Sequence, residues 1–186
     1  MGERLVTSLP GDPLSPPTPS KGAGEKTPAL FPDPLIPFHA DTRYAAAAIL
    51  LSEEGDYLFQ QRDGTPGIWF PHMLGLFGGK LEEGEEASAA LRRELAEELK
   101  FYPRDLTYFS FTFCSTSKIS SGSSCRIIYE ARFTREEREQ MVLSEGAGMK
   151  IISSSDIVSR KYPIVPVDLY MLYLHMMCHD IVAPPD

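Results

Sequence analysis

Hydrophobic positions recur along this chain with two different periods. Ala87, Leu91, Leu95 and Leu99 fall on one stripe at about 100° per residue, with no glycine or proline among them, and predict a helix over 87–99. Tyr44–Leu51 is instead a continuous apolar run ended by Ser-Glu-Glu-Gly-Asp, with Tyr57–Arg62 after it. These read as two short strands joined by a turn through Gly55, although the alanines alone would allow helix. Alternation over Leu106–Phe113 puts Phe109, Phe111 and Phe113 on one face of a strand buried on that side. Arg126–Phe133 reads as the next strand, antiparallel to it, across the serine-rich polar loop Ser115–Ser124. Thr134-Arg-Glu-Glu is a capping box opening a short helix toward Met141. Glu145–Ile152 is a loop feeding a last strand, and Val167–Cys178, after a turn bracketed by Pro163 and Pro166, has the apolar density of a helix packed on a sheet.

Residues 1–40 break this pattern. They hold nine of the sixteen prolines and few apolar residues before Leu30, too little surface to offset the entropy of ordering. The expected organisation is a flexible or extended tail over 1–40 and one domain over 41–186. Leu30, Phe31, Leu35, Ile36 and Phe38 are the exception, suited to lying along the domain in extended form.

Composition narrows the function. A length of 186 residues, 42% hydrophobic and 24% charged, suits one globular domain with an appendage. A net charge of -8 argues against a nucleic-acid polymer as partner but is compatible with a small phosphorylated substrate bridged by metal. Cys114, Cys125 and Cys178 are too widely spaced for a CxxC metal pattern and are expected to be reduced, mostly buried thiols. No apolar run approaches the roughly 18–20 residues that span a bilayer, so the expectation is a cytoplasmic protein without a membrane partner.

The chemistry concentrates on the predicted helix. Glu94, Glu97 and Glu98 share an arc beside the apolar stripe, at spacings where like charges cost roughly 0.2–0.5 kcal/mol per pair. A solvated acidic face with Arg93 pairing Glu97 is one account of them. What discriminates is Phe77-Gly78-Gly79-Lys80 just upstream, where bare backbone can approach a ligand. A carbonyl there plus several carboxylates make an all-oxygen site of the kind Mg²⁺ or Mn²⁺ prefers.

These residues resemble the Nudix box of the Nudix hydrolases: Gly79, Glu85, Arg93, Glu94, Leu95, Glu97, Glu98 and Phe101 fall in register with it over residues 79–101. One position departs, because Lys100 stands where the family has the glycine that closes the helix. A lysine in the left-handed geometry expected there costs up to about 1–2 kcal/mol, or else the turn shifts. The resemblance implies an α+β fold, an α/β/α sandwich with a mixed β-sheet, and makes Tyr44–Leu51 a strand. It also implies hydrolysis of a diphosphate linkage in a nucleoside diphosphate attached to another group, with Mg²⁺ or Mn²⁺ as cofactor and homodimerisation among the assemblies.

Carried over position by position, the resemblance makes Glu94, Glu97 and Glu98 metal ligands, with the Gly79 carbonyl beside them and Glu85 near the site or salt-bridged within it. Arg93 orients Glu94, and Glu94, Glu98 or Glu145 serves as base; Glu139 is the alternative to Glu145. Lys80 and Arg62 are candidates to hold phosphates, and Trp69 either stacks on a base or fills the core. His72 reads as a loop histidine. His175 and His179 stand at i and i+4, a chelating spacing, but the sequence offers no third ligand near them. The competing account is a Nudix module that binds a nucleotide or a partner protein without turnover. Nucleotide sugars, ADP-ribose-like compounds, dinucleotides and oxidised nucleoside triphosphates all stay open as substrates.

Overall fold

Alanines 45 to 48 extend rather than coil, because the strand they form is the axis of a sheet packed on both sides. The computed structural model describes residues 42–115 and 123–179; the proposed tail over 1–40 and most of the serine-rich loop lie outside them. The elements are β1 (Thr42–Leu51), β2 (Tyr57–Gln61), β3 (Leu74–Gly75), α1 (Ala87–Leu99), β4 (Thr107–Ser115), β5 (Ser123–Arg132), α2 (Arg135–Gln140), β6 (Gly148–Ile152), α3 (Ser154–Val158) and α4 (Pro166–Cys178). The strands form one mixed sheet in the order β3-β2-β1-β5-β4, with β6 on the other edge of β2. β1 and β5 run parallel from Thr42↔Ser123 to Leu51↔Arg132, and the remaining pairs are antiparallel.

The period of two along β1 and β5 divides the core. Ala46, Ala48, Leu50, Ile127 and Tyr129 meet Leu91, Leu95 and Leu99 of α1, whereas Ala47, Ile49 and Ile128 meet Met171, Leu172 and Met176 of α4. The result is the expected α/β/α sandwich. All four stripe positions of α1 are fully buried. Burying leucines of this size contributes about 1.5–3 kcal/mol each, so α1 is fixed chiefly by its packing.

The structure corrects two local expectations. Phe109 and Phe111 do not share a face, because the β4–β5 register shifts between Tyr108 and Ser110; Phe111 packs toward α1 and Phe109 toward α4. The extra residue of such a bulge moves every later side chain to the other face. Of the three cysteines only Cys125 is buried, since Cys114 and Cys178 lie at the exposed ends of β4 and α4.

Lys100 takes the left-handed conformation itself, with φ 55° and ψ 29°. The turn therefore does not shift. The N–H groups of Lys100 and Phe101 reach back to the carbonyls of Ala96 and Leu95 at 3.1 and 3.2 Å, satisfying acceptors at the helix end. α2 begins with the expected capping box, Thr134 and Glu137 each accepting the other's backbone N–H. Among the described residues no helix is long and apolar enough to cross a membrane.

Candidate active site

The approach to α1 is held by one guanidinium. Arg93 donates from Nε and Nη2 to the two oxygens of Glu85, each at 3.0 Å, and from Nη1 to Glu94 at 2.9 Å. Nη2 also donates to the Lys80 carbonyl at 3.1 Å. Two parallel charge-assisted bonds fix both distance and orientation, so Arg93 ties the loop before the helix to the helix and aims Glu94. Its bonds hold the Glu85 carboxyl below the ordinary carboxylate range.

Both glycines of the loop make close approaches, Gly78 to backbone and Gly79 to a side chain. A Cβ on Gly78 would lie 2.2 Å from the Ala46 carbonyl, and one on Gly79 would lie 2.3 Å from the Glu94 carboxylate. Glu98 is buried on the other side of the loop, where the Gly78 N–H donates to it at 3.3 Å. Burial pushes its carboxyl up to about 7; the Gly78 N–H opposes this, the charges of Glu145 and Glu94 add to it, and Arg126 again opposes it.

Glu145 therefore belongs to this neighbourhood. Its loop is fastened by Ser144 N–H to the Glu98 carbonyl at 2.8 Å, by the Ser144 hydroxyl to the Glu97 carbonyl, and by Gln60 Nε2 to the Glu145 carbonyl at 3.2 Å. Glu139 pairs with Arg135 in solvent instead. Glu97 stands at the rim, its side chain 62% exposed and 3.6 Å from Arg93. The three helix carboxylates do not bring one oxygen each within 4.8 Å of the others. The Gly79 carbonyl accepts Ala46 N–H at 2.9 Å, which leaves it one lone pair.

This donor set fits a hard divalent ion. It consists of oxygens alone, it is backed by glycines, and it includes the buried Glu98 carboxyl.

On the α4 face of the sheet, beside Gly75, lies a cavity of about 370 Å³ whose lining includes Arg62, Trp69, Thr112, Arg126, Val165 and Asp168. Trp69 is 39% exposed, which removes the core-filling alternative. Arg62 Nε donates to the Trp69 carbonyl at 2.8 Å, so it positions the tryptophan loop, and Lys80 projects into solvent. His72 lies in that loop with φ 62°.

Arg126 and Asp168 escaped sequence reasoning. Asp168, 2% exposed, pairs with Arg126 Nη1 and accepts Leu76 N–H at 2.9 Å, while Arg126 Nη2 donates to the Leu76 carbonyl at 3.3 Å. Together they clamp the strand that runs from the cavity into Gly78 and Gly79. The signal was available: a lone acid in the first turn of an apolar helix and a lone arginine opening an apolar strand must find partners if the fold buries them.

The NUDIX domain family model matches residues 41–164. A comparison with curated proteins finds none that matches. Among solved structures, the E. coli ORF135 protein superposes with a TM-score of 0.61 at 22% identity, over 78% of this chain and 96% of that one. A MutT NUDIX hydrolase from Burkholderia pseudomallei gives 0.59 at 18% identity, over 71% and 96%. The NUDIX domain of Shewanella oneidensis NrtR, determined with ADP ribose, gives 0.60 at 19% identity, over 78% and 91%.

Proposed function

The chain belongs to the Nudix family, and we propose that it is a divalent-metal-dependent hydrolase that cleaves the diphosphate bond of a nucleoside diphosphate linked to another moiety. The observation that carries this reading is the joint placement of Glu94 and Glu98 against Gly79 and Gly78, on a sheet whose α4 face carries a mostly apolar cavity. Glu94, Glu97 and Glu98, with the Gly79 carbonyl, would hold Mg²⁺ or Mn²⁺. Such an ion neutralises charge on the transferring phosphoryl group and makes water more acidic.

The protein's own contributions follow from the geometry. Arg93 holds Glu94 in orientation and keeps the loop closed on the helix. A water is deprotonated by a carboxylate oxygen of Glu98 or Glu145, its oxygen bonds to phosphorus, and the bridging P–O bond breaks with the electron pair leaving on the departing phosphate. Glu98 and Glu145 lie close enough for their charges to act on one another, which places both carboxylates for the task. The exposed face of Trp69 supports stacking on a base, with Arg62 at the mouth of the cavity.

A module that binds nucleotide without turnover is the second reading, and the outward setting of Glu97 is what favours it. A panel of nucleoside diphosphate derivatives with Mg²⁺ and Mn²⁺ separates the two. Cleavage into two phosphomonoesters, abolished by EDTA and by Glu97→Gln, supports the hydrolase; saturable nucleotide binding with no cleavage under any metal supports the module.

A further inference from the structure

His175 and His179 lie one turn apart on α4, and the fold brings them the third ligand that their sequence neighbourhood lacks. It comes from β5. Glu130 Oε2 is 3.0 Å from His175 Nε2 and 3.3 Å from His179 Nε2, and the three atoms all lie within 4.8 Å of one another. Among the described residues this is the one group of three metal-ligating side chains drawn so close. A tetrahedral ion that holds nitrogen and oxygen donors at about 2.0–2.1 Å spaces neighbouring donors about 3.3–3.4 Å apart. The two separations between Glu130 and the histidines sit near that spacing.

The surroundings orient the ligands. Tyr57, itself 1% exposed, places its hydroxyl 3.0 Å from His175 Nδ1. With the proton on Nδ1 donated to the phenol oxygen, the Nε2 lone pair faces Glu130, the outer-partner arrangement that fixes metal-bound imidazoles. Phe109 packs edge-on against the same ring at 5.1 Å. Arg132 Nε lies 3.5 Å from Glu130 Oε1, which leaves Oε2 to the histidines. His179 is 43% exposed, so an ion can enter from solvent.

We propose that Glu130, His175 and His179 form a second metal site, selective for Zn²⁺ and similar borderline ions, that clips the last helix to the central sheet. Two imidazoles and one carboxylate suit zinc, whereas the all-oxygen set at Gly79 suits Mg²⁺. The site faces α4, on the side of the sheet opposite α1, and does not depend on the hydrolase reading. A structural clip joins elements distant in sequence, and this one spans β5 and α4.

The competing account is a metal-free network in which both imidazoles donate Nε2–H to Glu130, and Tyr57 donates to His175 Nδ1. Titrating the EDTA-stripped full chain with Zn²⁺ in excess Mg²⁺, against a chromophoric chelator, distinguishes the two. One equivalent is expected to bind. His179→Ala, at an exposed position, should weaken it by about a hundredfold or more and Tyr57→Phe by about tenfold. Substituted Co²⁺ should show the visible absorption of a tetrahedral imidazole site, and ¹⁵N NMR of the unaltered protein should show both Nε2 resonances shifting with Zn²⁺. Zinc affinity unchanged in His179→Ala, zinc that follows His72 instead, or a bound ion that leaves both Nε2 resonances unmoved would overturn the proposal. So would the failure of any zinc to bind over Mg²⁺.

Discussion

Glu94 lies so close over Gly79 that a single methyl group on the glycine would fall 2.3 Å from its carboxylate. The glycine is thus a recess for a charged side chain held on its other side by Arg93. Gly79→Ala is expected to push Glu94 out of position. Displacing a reacting group by about 1 Å can cost on the order of 10²-fold in rate. Diphosphate cleavage in Mg²⁺ should fall by about that factor while thermal unfolding moves little; unchanged turnover would remove Glu94 from the site.

The Glu98 carboxyl, ordinarily at 4.5, is raised to about 7 in the fold. The folded, metal-free protein therefore binds this proton more tightly than the unfolded chain does. Its contribution to stability is fully present below pH 4.5 and is lost as pH rises through 7. Denaturant unfolding in EDTA from pH 5 to 8 should show a decline of about 2 kcal/mol in the wild type relative to Glu98→Gln. Parallel profiles for the two proteins would contradict the buried setting of this carboxyl.

Asp168 is nearly sealed from solvent and meets both Arg126 and the Leu76 N–H. Asp168→Ala leaves a partly buried guanidinium without its partner, a loss of about 3 kcal/mol. Urea unfolding should register it, and Arg126→Met with Asp168→Ala together should cost less than the two single changes summed. Simple additivity would mean that the ion pair contributes no coupling.

Lys100 occupies left-handed backbone at φ 55°. Lys100→Gly should relieve the strain and stabilise the protein by about 1 kcal/mol, net of the greater freedom glycine gives the unfolded chain. A rise in the denaturation midpoint with the same m-value is the expected signature.

The long elements were legible because their periodicity is one-dimensional. The stripe Ala87, Leu91, Leu95, Leu99 and the Thr134 capping box fixed α1 and α2 where they occur. The two-residue β3 and the short α3 carry too few residues to show a period, and the bulge that parts Phe109 from Phe111 depends on how β4 meets β5. The site divides likewise. Glu85, Arg93 and Glu94 interact within one helix and the loop before it, so spacing exposed them. Arg126 with Asp168, and Glu130 with His175 and His179, meet only after the chain has crossed the sheet.

The parallel pairing of β1 with β5, ten residues long and set by partners such as Ala46 and Ile127, has a consequence for how the polypeptide reaches this shape. During synthesis the alanine-rich first strand leaves the ribosome well before its principal partner exists. Contacts so distant along the chain form slowly, and an unpaired apolar strand edge invites association with other chains while it waits. Until residue 132 is made, the nascent hairpin of β1 and β2 is the stretch most in need of a chaperone's cover.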